Sequence, residues 1–257
     1  MTISQATETF FGKPIRHWSP GDPAPADAGV AWRLAFDHDD DTSMVERLEQ
    51  FLQAADPAGV TALVFGDWED SYDAPPEAVL DLLCRRAADL PALRALFVGD
   101  MTYEECEISW IKQADYTWVL EAFPALQVLR IRGSDGLVLP ADAAHAQLRE
   151  LVIECGGLPK SVLERLAGAR LPALERLELW LGTDEYGFDG DLDDVRAAVD
   201  ALRSPRLREL ALRDAEIADE VAAWLAGEDW VAQLSVLDLS LGTLGDAGAQ
   251  ALLASPR

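Results

Sequence analysis

Basic side chains are scarce in this chain: 21 Lys and Arg residues stand against 46 Asp and Glu residues, a formal net charge of −25. A field of that sign repels phosphate backbones and anionic lipid surfaces. We therefore expect no nucleic-acid partner and no membrane partner. Long apolar runs are also lacking, and the first residues have neither the basic start nor the apolar stretch of a secretory signal. These absences predict a soluble, cytoplasmic protein.

Cysteines are few. Cys84, Cys106 and Cys155 are odd in number and widely separated, with no C-x-x-C pair, which predicts neither a disulfide framework nor a zinc site. The sequence also lacks a G-x-S-x-G elbow, an H-E-x-x-H motif and a phosphate loop that ends in Gly-Lys-Ser or Gly-Lys-Thr. We therefore expect a protein that is not an enzyme and has no cofactor and no bound metal.

One short pattern recurs along most of the chain. It has the form L-x-x-L-x-L, with Val, Ile or Phe counted as equivalents of Leu, and alternation within it is typical of a short strand. The spacing between copies is near the roughly 20–29 residues of a known class of repeat arrays, with some copies lengthened by insertions. The seven copies are VTALVF (60–65), LRALFV (93–98), LQVLRI (126–131), LRELVI (148–153), LERLEL (174–179), LRELAL (207–212) and LSVLDL (234–239).

Between copies the apolar residues stand three or four apart, which predicts helices. The clearest such segments are 76–90, 160–171, 194–204 and 220–234. A single strand–loop–helix unit cannot bury its own apolar face, so neighbouring units must stack. The predicted fold is therefore an α/β solenoid, an arc or horseshoe with parallel strands on the concave face and helices on the convex face.

Residues 1–59 precede the repeats, and we predict that they form an N-terminal capping unit. A strand is expected at 31–37 and a helix at 43–55, which a Ser43–Glu46 capping box opens. Large apolar residues of this segment are expected to seal the end of the core, namely Phe10, Phe11, Trp18 and Trp32.

Residues 60–257 hold the seven repeats. The last residues, 255–257, repeat the Ser-Pro-Arg of 204–206, which leads directly into the sixth predicted strand. Terminal repeats need a polar outer face. This pattern predicts an array that is truncated before a further repeat or a C-terminal cap.

With these residues in view, the chain resembles the leucine-rich-repeat superfamily in its ribonuclease-inhibitor-like, strand-plus-helix form. The last unit, LSVLDLSLGTLGDAGAQALLAS, is the most similar to that form, and segments 107–133 and 148–166 resemble an uncharacterised bacterial leucine-rich-repeat family. Where the superfamily places Asn after the strand, this chain has Asp67, Asp100, Cys155 and Asp214. The resemblance implies an arc that binds proteins or peptides.

The outward strand positions are the first candidate binding site. With every strand in register, one column reads Val64, Phe97, Arg130, Val152, Glu178, Ala211 and Asp238, and in a neighbouring column Arg176 stands between Glu150 and Glu209. Aromatic and Arg side chains are frequent interface anchors. The predicted partner-binding residues of this face are Arg130, Arg132, Glu154, Arg176, Glu178, Trp180 and Arg213. The alternative is a face whose charges neutralise one another in solvent.

Three insertions after strands, at 67–76, 100–116 and 182–194, form the second candidate. They combine carboxylates with aromatics and are expected along one rim, where loops often bind partners. Their partner-binding candidates are Trp68, Tyr72, Tyr103 and Tyr186. The alternative is that these loops pack on themselves. In the third insertion, Asp189, Asp191 and Asp193 resemble a calcium loop, although carboxylates there also suit the start of the next helix.

The function predicted from the sequence is a non-catalytic protein- or peptide-interaction scaffold. Its partner is an unknown protein or peptide, and the net charge favours a basic one. Two alternatives stay open: an accessory or substrate-holding subunit of an enzyme complex, and a metal-dependent enzyme with its site in the 182–194 loop.

Overall fold

A computed structural model describes residues 3–22, 28–36, 42–54 and 57–255. Contacts divide the chain into two compact units, residues 2–138 and 139–257, so that the division lies between the third and fourth predicted repeats. Pro256 and Arg257, which contribute to the predicted truncation, lie outside the described residues, as do Asp37 and Ala55 at the ends of the predicted capping elements.

The first unit alternates strands and helices. Its first two strands pair antiparallel, and from the second strand to the sixth the pairing is parallel and follows chain order. The strands are β1 (Thr9–Phe10), β2 (Lys13–His17), β3 (Ala31–Leu34), β4 (Ala62–Phe65), β5 (Ala95–Val98) and β6 (Val128–Arg132). The α-helices are α1 (Met44–Ala54), α2 (Glu77–Arg85) and α3 (Thr117–Ala122), with 3₁₀ turns at Pro57–Gly59, Ala87–Asp89 and Ile108–Trp110.

The second unit is more regular, since a helix follows each of its strands. All of its strand pairs are parallel and in chain order. The strands are β7 (Glu150–Glu154), β8 (Arg176–Trp180), β9 (Glu209–Arg213) and β10 (Val236–Asp238). The helices are α4 (Lys160–Ala167), α5 (Leu192–Leu202), α6 (Ala218–Gly227) and α7 (Asp246–Ala254), with 3₁₀ turns at Asp184–Tyr186 and Asp229–Gln233. Each predicted repeat therefore supplies a strand, and the predicted helices are present.

The register within each unit is the predicted one. In the first unit Val64 pairs with Phe97, and Phe97 pairs with Arg130. In the second unit Glu178 pairs with Val152 on one side and Ala211 on the other. The intervening leucines also align and are buried, namely Leu63, Leu96 and Leu129 in the first unit and Leu151, Leu177 and Leu210 in the second. Because side chains alternate along a strand, the leucines form a core on one face of the strands in each unit, and the other side chains point to the opposite face.

The predicted start of α1 is confirmed. The Ser43 N–H donates to the Glu46 carboxylate (3.0 Å), and the Glu46 N–H donates to the Ser43 Oγ (3.3 Å), which is a reciprocal capping box. The helix then buries Phe51 against two aromatic rings: Trp18 lies edge-on at 5.3 Å and Trp32 at 6.5 Å between ring centroids. These three rings form the core of the N-terminal segment.

Phe10 lies elsewhere, which corrects the prediction that it seals the core end together with Trp18 and Trp32. The β1–β2 hairpin, which the sequence did not reveal, turns through Phe11 and Gly12, both at positive φ (54° and 66°). A two-residue turn of this kind needs the left-handed conformation, which glycine adopts readily. The hairpin directs Phe10 onto Phe97 (5.7 Å between centroids). Phe10 thus belongs to an apolar cluster in the first unit, on the strand face opposite the leucine core. The other members are Ala31, Ala62, Val64, Ala95, Phe97 and Val128.

Among the described residues, none of the helices combines the length and the apolar character that a membrane crossing requires.

We expect Phe10→Ala to lower the free energy of unfolding by about 3 kcal/mol, the usual cost of deleting a buried phenyl ring. Urea denaturation measures this change. Leu253→Ala is the control, because Leu253 is 86% exposed, and its effect should stay within about 0.5 kcal/mol. Equal effects of the two substitutions would contradict the packing of Phe10 on the strand face.

Candidate functional site

A buried charge cluster lies at the ends of the strands in the first unit, and Asp100 is its centre. The Asp100 carboxylate accepts a hydrogen bond from Arg33 Nε (3.1 Å) and one from the Thr7 hydroxyl (2.6 Å), and lies 3.5 Å from Arg132 Nη1. Arg33 also donates from Nη2 to the Asp100 carbonyl oxygen (2.7 Å) and to Glu105 (3.1 Å). Buried charges are tolerated only when they are paired and hydrogen-bonded in this way.

Two arginines of this unit lie against the ring of Phe97. The guanidinium carbon of Arg130 is 4.5 Å from the ring centroid and that of Arg132 is 5.2 Å from it, within the range of cation–π attraction. Arg132 Nη1 also donates to the Met101 carbonyl oxygen (2.8 Å), and only 2% of the residue is exposed. Of these two predicted partner-binding residues, Arg130 is half-buried, while the side chain of Arg132 is engaged inside the unit.

Neither Arg33 nor Asp100 is among the partner-binding residues predicted from the sequence. A signal was present for Asp100, which stands where leucine-rich repeats usually place Asn after a strand. No sequence pattern marked Arg33, because the space for its side chain is provided by Gly66, a residue distant from it in the chain. A Cβ atom at Gly66 would lie 2.4 Å from Arg33 Nη2, so the guanidinium occupies space that any larger residue would fill.

In the second unit the strand face is organised around Glu178. Its carboxylate accepts hydrogen bonds from Trp180 Nε1 (2.8 Å), Arg176 Nη2 (2.7 Å) and Arg213 Nη1 (3.0 Å). The Arg213 guanidinium also lies over the Trp180 ring, 5.2 Å from its centroid, and 3.3 Å from Asp238. The sequence predicted these residues together on one face, and the structure brings them into contact.

Burial alone would raise the pKa of the Glu178 carboxyl, but the hydrogen bonds from Trp180, Arg176 and Arg213 outweigh it and hold the pKa below its usual value. Glu178 and Trp180 are 3% and 4% exposed. The charge of Glu178 is therefore compensated within the face, and both side chains are buried, whereas the alternative interpretation expected a face in solvent. Glu154 is also buried.

The exposed part of this face lies beside the buried part. Arg176 stands in register between Glu150 and Glu209, as predicted, and its Nε is 3.7 Å from the Glu209 carboxylate. Arg176, Glu209 and their neighbours line an open cavity of about 410 Å³. The full lining consists of Glu150, Glu175, Arg176, Arg206, Arg208 and Glu209. Arg176 connects this cavity to the buried Glu178, to which it donates a hydrogen bond.

The two insertions of the first unit contact each other. Tyr72 of the first insertion packs edge-on against Trp110 of the second (5.5 Å between centroids), and the Lys112 N–H donates to the Ser71 carbonyl oxygen (2.9 Å). Tyr72 and Tyr103 are exposed. Trp68 instead folds into its own loop, where its Nε1 donates to the Ala74 carbonyl oxygen (2.9 Å).

The third insertion, in the second unit, exposes Tyr186 and uses its carboxylates to organise helix starts. Asp191 caps α5 by accepting from the N–H groups of Asp193 and Asp194. Asp189 accepts from the Lys160 N–H (2.6 Å) at the start of α4. Within the part of the chain that the structure describes, no group of three or more His, Cys, Asp or Glu side chains is arranged to hold a metal ion. These contacts account for the aspartates through capping.

The strands and helices of both units define a repeat-like α/β protein. Its fold is similar to that of a protein from Bacteroides fragilis whose crystal structure was solved in a structural-genomics programme, with a TM-score of 0.79 and 32% sequence identity. The similarity covers 86% of this chain and 62% of the Bacteroides protein, so the chain spans less than two thirds of that protein's length. No protein-family model and no curated protein matches the chain.

We expect Asp100→Ala to lower the free energy of unfolding by about 3–5 kcal/mol, because it leaves two buried guanidinium groups without their shared carboxylate. The measurement is chemical denaturation at neutral pH. Asp135→Ala serves as the control, since it removes the partner of the surface residue Lys112 and should change stability little. A tolerated Asp100→Ala substitution would show that the cluster is not buried as described.

The lowered pKa of Glu178 predicts a pH-dependent stability. A carboxyl whose pKa is lower in the folded state than its usual 4.5 stabilises the protein above that value, and this contribution is lost as the pH falls through the folded-state pKa. The difference in unfolding free energy between wild type and Glu178→Gln should therefore be largest near neutral pH and shrink below pH 4.5. Paired urea titrations across this range test it, and a pH-independent difference contradicts it.

Proposed function

We propose that the chain is a leucine-rich-repeat protein of the ribonuclease-inhibitor-like type, with each strand and its following helix as one repeat. Three observations support this assignment. Seven motif copies each supply a strand, the motif strands of each unit pair in parallel and in register, and the apolar motif positions of the first six copies are buried. Strand–helix units of this kind acquire a core only by stacking.

We further propose that it acts in the cytoplasm as a non-catalytic scaffold that binds a protein or peptide on the strand face of the second unit. One observation carries this proposal: the charged row Glu150–Arg176–Glu209 is held in register beside an open cavity. The same face of the first unit is different, because Phe10 packs against its apolar column. The second unit therefore offers the more accessible strand face.

The chemistry of this face suits a partner that carries both signs of charge. Arg206 and Arg208 at the cavity can pair with acidic groups, and Glu150 and Glu209 with basic groups. Fixed charges of this kind contribute to specificity and association rate more than to affinity. The net charge of −25 favours approach of a basic partner. The exposed Tyr186 adds aromatic contact area on the insertion of the same unit.

A charge-swapped variant tests the face directly. Arg208→Glu combined with Glu209→Lys keeps the net charge and leaves all three hydrogen-bond donors of Glu178 in place. We expect affinity capture from native lysate, quantified by mass spectrometry, to recover a stoichiometric partner with wild type and at least tenfold less of it with the variant. The reason is that two cavity charges then meet like charges on the partner.

The control is a triple variant of the insertions, Tyr72→Ser, Tyr103→Ser and Tyr186→Ser, compared at equal thermal stability. Retention of the partner by this variant and its loss from the charge-swapped variant support the strand face. The reverse result moves the site to the insertions. Equal recovery by all three proteins contradicts both sites. Catalytic activity in the captured complex would identify the chain as a substrate-holding subunit of an enzyme.

A further inference from the structure

A groove on the helical side of the first unit lies apart from the strand face. It runs between α2 and α3 and consists of two adjoining hollows of about 190 and 480 Å³, which share Asp81, Cys84 and Trp118. Its floor is apolar, since Leu80 and Val119 lie buried along it. Of its lining residues, only Ala114 and Asp115 fall in a segment that the sequence marked as a candidate, the 100–116 insertion.

Trp118 is the most unusual residue of the groove. It is 63% exposed, and within the described part of the chain its indole ring makes no hydrogen bond and no contact with another aromatic ring. Trp110 is exposed to a similar degree, but its ring packs against Tyr72. An indole face that the protein leaves uncovered is a typical interface anchor, because tryptophan is enriched among the residues that contribute most to binding.

Carboxylates surround the indole ring. Glu77, Asp81 and Asp115 line the first hollow, and Asp81 and Glu121 line the second. Arg85 lies 3.8 Å from Asp81 and offsets one of these charges, and Asp115 accepts a hydrogen bond from the Thr117 N–H. Glu77 and Glu121 form no ion pair with any described residue. The groove therefore combines an apolar floor, an uncovered aromatic face and an excess of negative charge.

The pKa of the Cys84 thiol is shifted in this groove. Burial, followed by the charge of Asp81, raises its pKa to about 11. Burial opposes any charge at this position, and Arg85 lowers the pKa, so only the contribution of Asp81 would also attract a cation.

We propose that the Trp118 groove is a docking site for a basic peptide segment, with an arginine or lysine side chain against the indole ring and its charge paired with the surrounding carboxylates. An indole face is the aromatic surface that attracts cations most strongly, and the carboxylates supply the complementary charge. Phosphate-bearing and other acidic ligands are disfavoured by the same charges. This site is independent of the strand face of the second unit.

The probe is the fluorescein-labelled peptide Gly-Ser-Arg-Leu-Arg-Ser-Gly, titrated with the full chain and followed by fluorescence anisotropy. We expect Trp118→Ala to weaken binding about tenfold, which is the size of a partly desolvated cation–π contact. Glu121→Gln should weaken binding several-fold, and added salt should weaken it further. The same peptide with citrulline in place of arginine keeps the shape without the charge, and should bind at least tenfold more weakly.

Trp110→Ala and Glu104→Gln are the matched controls, because they remove an equally exposed indole ring and an exposed carboxylate from the same unit. Equal losses in the control and groove variants would indicate general attraction to an acidic surface and overturn the proposal. Undetectable binding by wild type, or equal binding of the citrulline peptide, would overturn it as well. Bound peptide should also slow alkylation of Cys84 at alkaline pH, and unchanged alkylation would place the peptide elsewhere.

Discussion

The rest of the structure depends on the in-register pairing of short parallel strands, because it places equivalent residues of successive repeats side by side. A residue at a given strand position meets its equivalents about 4.8 Å away on the neighbouring strands, so a single position becomes a row. Leu63, Leu96 and Leu129 form one such row, and Leu177 with Leu210 forms part of another. These rows of leucines are buried from solvent only when the strand–helix units stack. The arrangement of every other group, charged or aromatic, depends on this stacking.

The strand face opposite the leucine rows differs between the two units. In the first unit the row Ala62–Ala95–Val128 is made of small side chains, which leaves room for Phe10 to pack across it. Charged side chains join this face as Arg130, which lies over Phe97, and as the cluster in which Asp100 pairs with Arg33 and Arg132. Because removal of water from a charge costs several kcal/mol per ion, such a cluster is tolerable only when its members satisfy one another.

In the second unit the corresponding face is charged, and only part of it is internal. Glu178 accepts hydrogen bonds from Arg176, Arg213 and Trp180, and these contacts restrict the side chains that donate them. The exposed row beside it is thereby presented on a rigid support, which lowers the entropy lost when a partner binds. The strand face and the Trp118 groove differ in chemistry. The strand face presents paired charges, whereas the groove presents an uncovered ring among carboxylates.

The sequence by itself determined the repeats, their strands and most helices, the register within each unit and the neighbours of Arg176, because these features depend on local periodicity and on pairing between equivalent positions. It also placed Glu178, Trp180 and Arg213 on one face. It did not reveal the β1–β2 hairpin, the burial of Arg132 and Trp180, the Asp100 cluster or the Trp118 groove. Apart from the hairpin, which is local, those features join residues far apart in the chain, such as Thr7 with Asp100. Only the tertiary structure decided them, because burial and charge pairing depend on which distant side chains fill the same space.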